Sequence, residues 1–596
     1  MNDDQTPKPL PEQPPEIDAL VTDIQRTDSD TELEAAFTPS VTPERRSLKQ
    51  KYLDNKKWTI PLTILFIALI VIFGLPATRY RILGIFISHP YEVTFTDATT
   101  HNPVTDATVK LGSFTKTTDA KGAVIFPKVK LGKQELKVTK QYYKTYVASV
   151  FVGISKPAAQ KQKLTATGRQ VSVSVANAIT HLPISGADIS VLGTSAQSDK
   201  GGYANLVLPA DKASAEGEVT ANGYNNSTVK VVTLSNNTSD NYYLLVPAGR
   251  VYFLSNQSGK VDVVSTNYDG SDRQTITTGT GYENTSSTKL IASSDQKYLA
   301  LISRRTSAQN GVGLYIINTA TSKLAKVEEL PNASISNVGW AGNDFVYSVN
   351  DLSLNPWQTA SSLLKSYNAS TSTGVTLDQT QAEGDQSDYA LQNFSTTSII
   401  DNNVLYATYW TSSLSSSRLA SKTDSINSVQ SDGSNKKSLK SGLTIPDGGG
   451  YVAVYQAQAG PEVSYFAMPT TSQGLSSNII IFKYTKGNLT QTNNFTFANF
   501  TDPNIGNGYV ALSPSGQKSL FQDIVDGQLK LSVGDVSGQN KTAASLLPVS
   551  GYVVGWLGEN YVLVSQSSSK LYVTALDMSS NAKMEAPLFV SNFLGQ

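Results

Sequence analysis

The chain has 596 residues, too many for one ordinary core, and 48 basic against 48 acidic side chains leave no formal net charge. That balance excludes a global cationic surface for nucleic acid. Cysteine is absent, which removes disulfides, thiolate nucleophiles, Cys-ligated zinc and iron–sulfur clusters together.

Residues 1–57 read as a cytoplasmic disordered tail: "TPKPLPEQPPEIDAL" is rich in proline and acid and poor in aromatics. The tail ends in a basic stretch that includes Arg45, Arg46, Lys49, Lys51, Lys56 and Lys57. From Trp58 to Thr78, "WTIPLTILFIALIVIFGLPAT" holds no charge. At about 1.5 Å per residue it reaches ~31 Å, a bilayer core, so 58–78 is predicted to be a transmembrane helix. Only Arg79 and Arg81 follow closely, so the cation excess puts the N-terminus in the cytoplasm and the rest outside. The expectation is a signal-anchored, single-pass protein of the plasma membrane, with 79–90 as a juxtamembrane segment.

Beyond Tyr91 the pattern becomes alternating. "YEVTFTDATTHNPVTDATVKLGSFTKTTDAKGAVIF" is followed roughly eighty residues later by "VSVSVANAITHLPISGADISVLGTSAQSDKGGYANLVL". Thr-His-x-Pro and Asp-x-x-Gly recur at nearly one spacing, which marks a tandem duplication. Each copy, 91–165 and 166–246, has room for six to seven short antiparallel strands and is predicted to be a β-sandwich. The strand ending at Asp97, the Thr-x-x-Pro-Val hairpin, the Thr-Asp-Ala-Lys-Gly turn and the terminal Gly-Tyr resemble the carboxypeptidase regulatory-like, transthyretin-like family. The second copy departs from it at Asn177 and Leu206. The resemblance implies a spacer or binding module without catalysis of its own. One Asp per Asp-x-x-Gly turn suits a hairpin better than calcium. His101 and His181 read as turn residues beside a proline, not as a metal pair.

Residues 247–596 show short β-rich runs and recurring turns. "VGWAGNDFVYSV" at Val338 matches "VGWLGENYVLVS" at Val554. "IASSDQKYLALIS" at Ile291 matches "ALSPSGQKSLFQD" at Ala511, and "NYDGSDRQTIT" at Asn267 matches "QSDGSNKKSLK" at Gln430. Repeats of this length predict a β-propeller, and the turns resemble TolB-type, WD-repeat-like blades. Trp357 and Trp410 stand near loops and are candidate ligand contacts, with blade packing as the alternative.

The expected fold is therefore mainly β: a disordered tail, one transmembrane helix, two tandem β-sandwiches and a C-terminal β-propeller of six to eight blades, seven favoured. No histidine follows His181, so a Ser-His-Asp triad cannot form in the propeller. No phosphate-binding Gly-rich loop or dinucleotide fingerprint occurs. No catalytic residue, metal ligand or cofactor is assigned. Carboxylate pairs remain open to glycosidase chemistry, among them Asp269, Asp272, Asp388, Glu462, Asp523 and Asp526. The expected function is a membrane-anchored binding or scaffold protein of the cell envelope. Its partners are the bilayer, through Trp58–Thr78, and an envelope protein or polysaccharide held by the propeller. The alternatives are a carbohydrate-active propeller enzyme and a TolB-like assembly factor.

Overall fold

The computed structural model describes residues 49, 52–53, 56–74, 76–234, 238–284, 286–306, 311–355, 357, 362–412, 416–419, 421–444, 455–469, 479–492, 509–525, 528–536, 540–541, 545–547, 552–567, 570–576 and 584–589. The tail over 1–48 lies outside the described residues, as does Asp526. The chain divides into two compact units, Met1–Phe86 and Ile87–Gln596.

In the first unit the described residues of the apolar run are helical, as α1 (Lys56–Gly74) and α2 (Pro76–Phe86), and Leu75 between them lies outside the described residues. The 19 residues of α1 reach only about 28 Å. Among the described residues no helix is long and apolar enough to cross a membrane. The side chains of α1 are nonetheless open: Trp58 is 80% exposed, and Leu62, Phe66 and Ile70 are exposed with it. The juxtamembrane segment expected over 79–90 holds the end of α2, to Phe86, and the start of a strand at Ser88.

The second unit begins with two copies of one arrangement. In the first, Ser88–Asp97 lies between Ala123–Lys130 and Gln160–Leu164, facing a sheet ordered Phe114–Thr117, Thr108–Leu111, Gly132–Thr139, Tyr146–Val152. In the second, Arg169–Asn177 lies between Tyr203–Leu208 and Tyr242–Leu245, facing Thr194–Gln197, Asp188–Val191, Ser214–Thr220, Ser227–Val232. The closing strand of each copy runs parallel to its opening strand. Alternation puts Val93, Phe95, Val109, Leu111, Phe126 and Leu136 inside the first copy, all essentially fully buried. Val171, Val173, Val175, Ile189, Leu206 and Leu208 share one core in the second. Burying each such side chain is worth about 1.5–3 kcal/mol.

The repeated motifs are the turns. His101 and His181 take φ of 63° and 55°, and their N–H groups donate to the carbonyls of Asp97 (3.1 Å) and Asn177 (2.9 Å). Asp119 Oδ1 accepts from the N–H groups of Lys121 and Ala123 at 2.9 and 2.8 Å. Asp199 Oδ1 does the same for Gly201 and Tyr203 at 2.8 and 2.9 Å. Each carboxylate thus caps its own hairpin. Gly122 and Gly202 follow at φ of 69° and 78°, and a Cβ there would stand 2.4 and 2.5 Å from the carbonyl oxygens of Phe95 and Val175.

Among the described residues seven antiparallel meanders follow, here called blades. Blade 1 has three strands (Val251–Ser255, Asp262–Thr266, Gln274–Thr277). Blades 2 and 3 begin at Lys289–Ala292 and Ala333–Ala341, and blade 4, with five strands, begins at Ala382–Gly384. Blades 5, 6 and 7 begin at Tyr455–Gly460, Tyr509–Leu512 and Tyr552–Leu557. Val251, Phe253, Val264 and Tyr268 of blade 1 share a core with Leu557, Leu563, Leu571 and Val573 of blade 7, so the ring closes. This is a propeller-like architecture. Ile179, from the second two-sheet copy, is fully buried in that same closing core.

Equivalent side chains make both joints between successive modules. Asp97 Oδ1 accepts from the N–H groups of Thr99 and Thr100 and from Gln170 Nε2 (2.8 Å) of the next copy. Burial pushes Asp97 up, but those donors outweigh it and hold the carboxyl below its ordinary value. Asn177 Oδ1 caps the matching turn at Ile179 and Thr180. Its Nδ2 donates to the hydroxyls of Tyr561 (2.8 Å) and Tyr224 (3.1 Å). The departure from Asp to Asn supplies an amide donor where the chain meets the propeller.

Candidate binding site

The repeated Gly-Trp motif builds the centre of the ring. Trp340 and Trp556 lie on the opening strands of blades 3 and 7, each just after a register shift, between Asn337 and Gly339 and between Val553 and Gly555. The bulge turns each indole toward the preceding blade. Trp340 Nε1 donates to the carbonyl of Ile291 on blade 2, and Trp556 Nε1 to that of Ala511 on blade 6, both at 3.1 Å. Ile291 and Ala511 themselves occupy matching places in a repeated motif. Trp340 also packs against Tyr298 and Phe345, with ring centroids 6.4 and 5.1 Å away.

These strands enclose an axial cavity of about 410 Å³, walled by Phe253, Ile291, Trp340, Val510 and Trp556, with Asn337, Ser293, Ser294 and Gln296 as its polar groups. Lys289 Nζ donates to Asn337 Oδ1 at 3.3 Å and fixes that amide. A wider space of about 850 Å³ shares Ser294, Trp340 and Val510 with it and reaches Thr397, Asp401, Pro461 and Tyr509. Burial pushes the Tyr509 phenol up.

Asp401 is the one carboxylate among the described residues lining these two spaces, and it sits at φ 48° in the turn joining Tyr389–Ile400 to Asn403–Ser412. The described acids considered for glycosidase chemistry, all but Asp526, are not among the lining residues. Asp269 accepts from Ser271 N–H and Oγ–H at 3.0 and 2.6 Å. Asp272 pairs with Arg250 at 2.7 Å, Asp388 with Arg418 at 2.7 Å and Glu462 with Lys486 at 3.1 Å. Asp523 stands opposite Lys530 in the ladder of blade 6. Among the described residues no three His, Asp or Glu side chains gather to hold a metal.

The structure places Trp357 and Trp410 away from the cavity lining. Trp410 is 7% exposed within blade 4, with Lys422 Nζ 4.5 Å from its ring centroid. Its N–H donates to Asp424 Oδ1 at 3.2 Å. Burial raises the Asp424 carboxyl to about 7, against the lowering effect of that donor. Trp357 packs at 5.9 Å on Tyr389, half-buried. Trp357 and Trp410 are not among the residues lining these two spaces, whereas Trp340 and Trp556 line the axial cavity. Trp340 and Trp556 were visible as a motif, and the signal for their place was the bulge-forming glycine before each.

No family model matches the chain, and no curated protein matches it. Among solved structures it is similar to a putative 6-phosphogluconolactonase from Bacteroides fragilis (12% identity, 58% of this chain and 96% of that one, TM-score 0.32). It is similar to the β-propeller domain of the Trilobed protease from Pyrococcus furiosus (10% identity, 56% and 92%, TM-score 0.32) and to TolB from Acinetobacter baumannii (10% identity, 55% and 75%, TM-score 0.25). It covers 72% of its own length and 55% of the other chain in a match to prolyl endopeptidase (10% identity, TM-score 0.27). Likenesses this distant carry no argument about activity. The propeller reading rests on the sheet order and on the closing core between blades 7 and 1.

Proposed function

We propose that the protein is an envelope binding or scaffold protein, attached to the plasma membrane through Trp58–Thr78, with its N-terminus cytoplasmic and its β modules outside. The carrying observation is the axial cavity. Its described walls are aromatic, aliphatic, amide and hydroxyl groups with a single carboxylate, Asp401, in the wider part, so no pair of carboxylates faces across it. Such a surface suits recognition of an uncharged segment of polysaccharide or protein. Two acids about 5–10 Å apart, which glycoside hydrolysis requires, are not among the described lining residues. The exposed apolar surface of α1 and the cations preceding it support the membrane attachment. The duplicated two-sheet modules fit a spacer, as the resemblance to carboxypeptidase regulatory-like domains implies. A TolB-like assembly role would use the same propeller as a docking surface.

The test is binding by the full-length chain in detergent micelles to an array of envelope glycans and purified envelope proteins, with the recovered ligand analysed afterwards. Saturable binding with the ligand unaltered is the expected result. Release of reducing sugar or of cleaved peptide overturns the reading. Protease added to intact cells is expected to remove everything beyond Tyr91, and survival of the propeller would refute the orientation.

A further inference from the structure

The two copies of the two-sheet module share their turns but not one patch of their outer surface. In the second copy, Tyr203 and Tyr242 both stand opposite Ser174, on the strands either side of it. Val173, Val175, Ala204, Leu206, Leu245 and the packed Tyr243 point to the core, so alternation sends Ser174, Tyr203 and Tyr242 outward. Tyr203 is 50% and Tyr242 43% exposed, while Ser174 between them is 8% exposed. With neighbouring strands about 4.8 Å apart, the two tyrosines flank the serine across ~10 Å. A groove of about 490 Å³ runs here, with His181, Pro183, Gly201 and Ser239 also in its lining. Among the described residues no Asp, Glu, Lys or Arg lines it.

Gly201 shows that the patch is built. Its backbone does not need a glycine, since its φ is not in the left-handed region. A Cβ there would come within 3.0 Å of the Tyr203 ring. The glycine is therefore a seat for that ring. In the first copy the matching position holds Lys121, and the matching row reads Ala123, Thr94, Lys161. The hairpin-capping aspartates, the left-handed glycines and the histidines are kept in both copies, while the aromatic pair and its seat are found in the second alone.

We propose that this face of the second module is a carbohydrate-binding site, distinct from the propeller cavity, that takes a neutral polysaccharide chain. Two exposed phenol rings offer flat apolar faces for the C–H faces of sugar rings. Their hydroxyls and Ser174 supply donors and acceptors to sugar hydroxyls. The uncharged lining favours an uncharged polyol over acidic or basic chains. The cationic row of the first copy is unsuited to the same task.

The full-length chain in detergent micelles is titrated calorimetrically with cellohexaose, maltohexaose, laminarihexaose and chitohexaose, and with decaproline as a peptide probe. One or more hexasaccharides is expected to bind. Tyr203→Ala and Tyr242→Ala, both at exposed side chains, each weaken that binding at least tenfold. Gly201→Lys does the same by displacing the Tyr203 ring, and Lys161→Ala on the first copy changes it less than twofold. No hexasaccharide binding, or binding indifferent to both tyrosines, overturns the proposal. Binding that survives Tyr203→Ala and Tyr242→Ala but is lost on Ser294→Trp belongs to the propeller cavity and also overturns it. Tyrosine-dependent capture of decaproline alone would replace the sugar by a peptide.

Discussion

Gly202 and Gly186 lie in neighbouring turns, both with positive φ, and differ in what surrounds them. A Cβ at Gly202 would strike the Val175 carbonyl at 2.5 Å, whereas one at Gly186 meets nothing within 4 Å. The position matching Gly186 in the first copy is Asp106, which holds φ of 50°. Gly202→Ala is therefore expected to cost about 2 kcal/mol or more and Gly186→Asp under about 1 kcal/mol, read from denaturant midpoints. Equal costs would mean that strain, not the carbonyl contact, governs the turn. Asp424 makes a prediction about pH. Burial lifts its folded-state pKa to about 7, above the unfolded value. The folded protein then holds this proton more tightly, so the stability it contributes is full below pH ~4 and is lost as pH rises toward 7, at about 1.4 kcal/mol per pH unit. Asp424→Asn keeps an acceptor for the Trp410 N–H and should flatten that slope between pH 4 and 7. An unchanged slope would place the titration elsewhere.

At the scale of elements, the indole staples set the spacing of the inner strands. Trp340→Phe and Trp556→Phe each remove one donor and leave the carbonyl of Ile291 or Ala511 without it, at about 1–2 kcal/mol by denaturant unfolding. Loss from one and not the other would show that the two motifs are alike in sequence only. Much of this level was legible. Period-two alternation located the core faces of both copies, and Thr-His-x-Pro with Asp-x-x-Gly located their turns. What stayed hidden depended on contacts far apart in sequence. Trp410 looked like a loop aromatic, yet it belongs to Asn403–Ser412 and is covered by Lys422.

Within the second unit, Ile179 docks the second two-sheet module on the propeller. The matching residue in the first copy is Thr99, exposed in a turn, whereas Ile179 is fully buried between blades 1 and 7. That substitution between repeats was the sequence signal for docking, and it is readable only once the partner surface is known. Ile179→Asp is expected to uncouple the second module from the propeller, giving an additional calorimetric transition that the parent chain lacks. A single transition in both would mean that the two modules melt independently of this contact. The axial cavity is proposed as a place of recognition without chemistry. Ser294 is exposed and lines both parts of that space, so Ser294→Trp fills the mouth without disturbing a buried group. The most direct measurement is the affinity of the parent chain and of Ser294→Trp for the envelope ligand recovered from the array, with the ligand's mass checked after incubation. The account predicts at least a tenfold loss of affinity and an unchanged mass. Equal affinity, or a ligand returned cleaved, would contradict it.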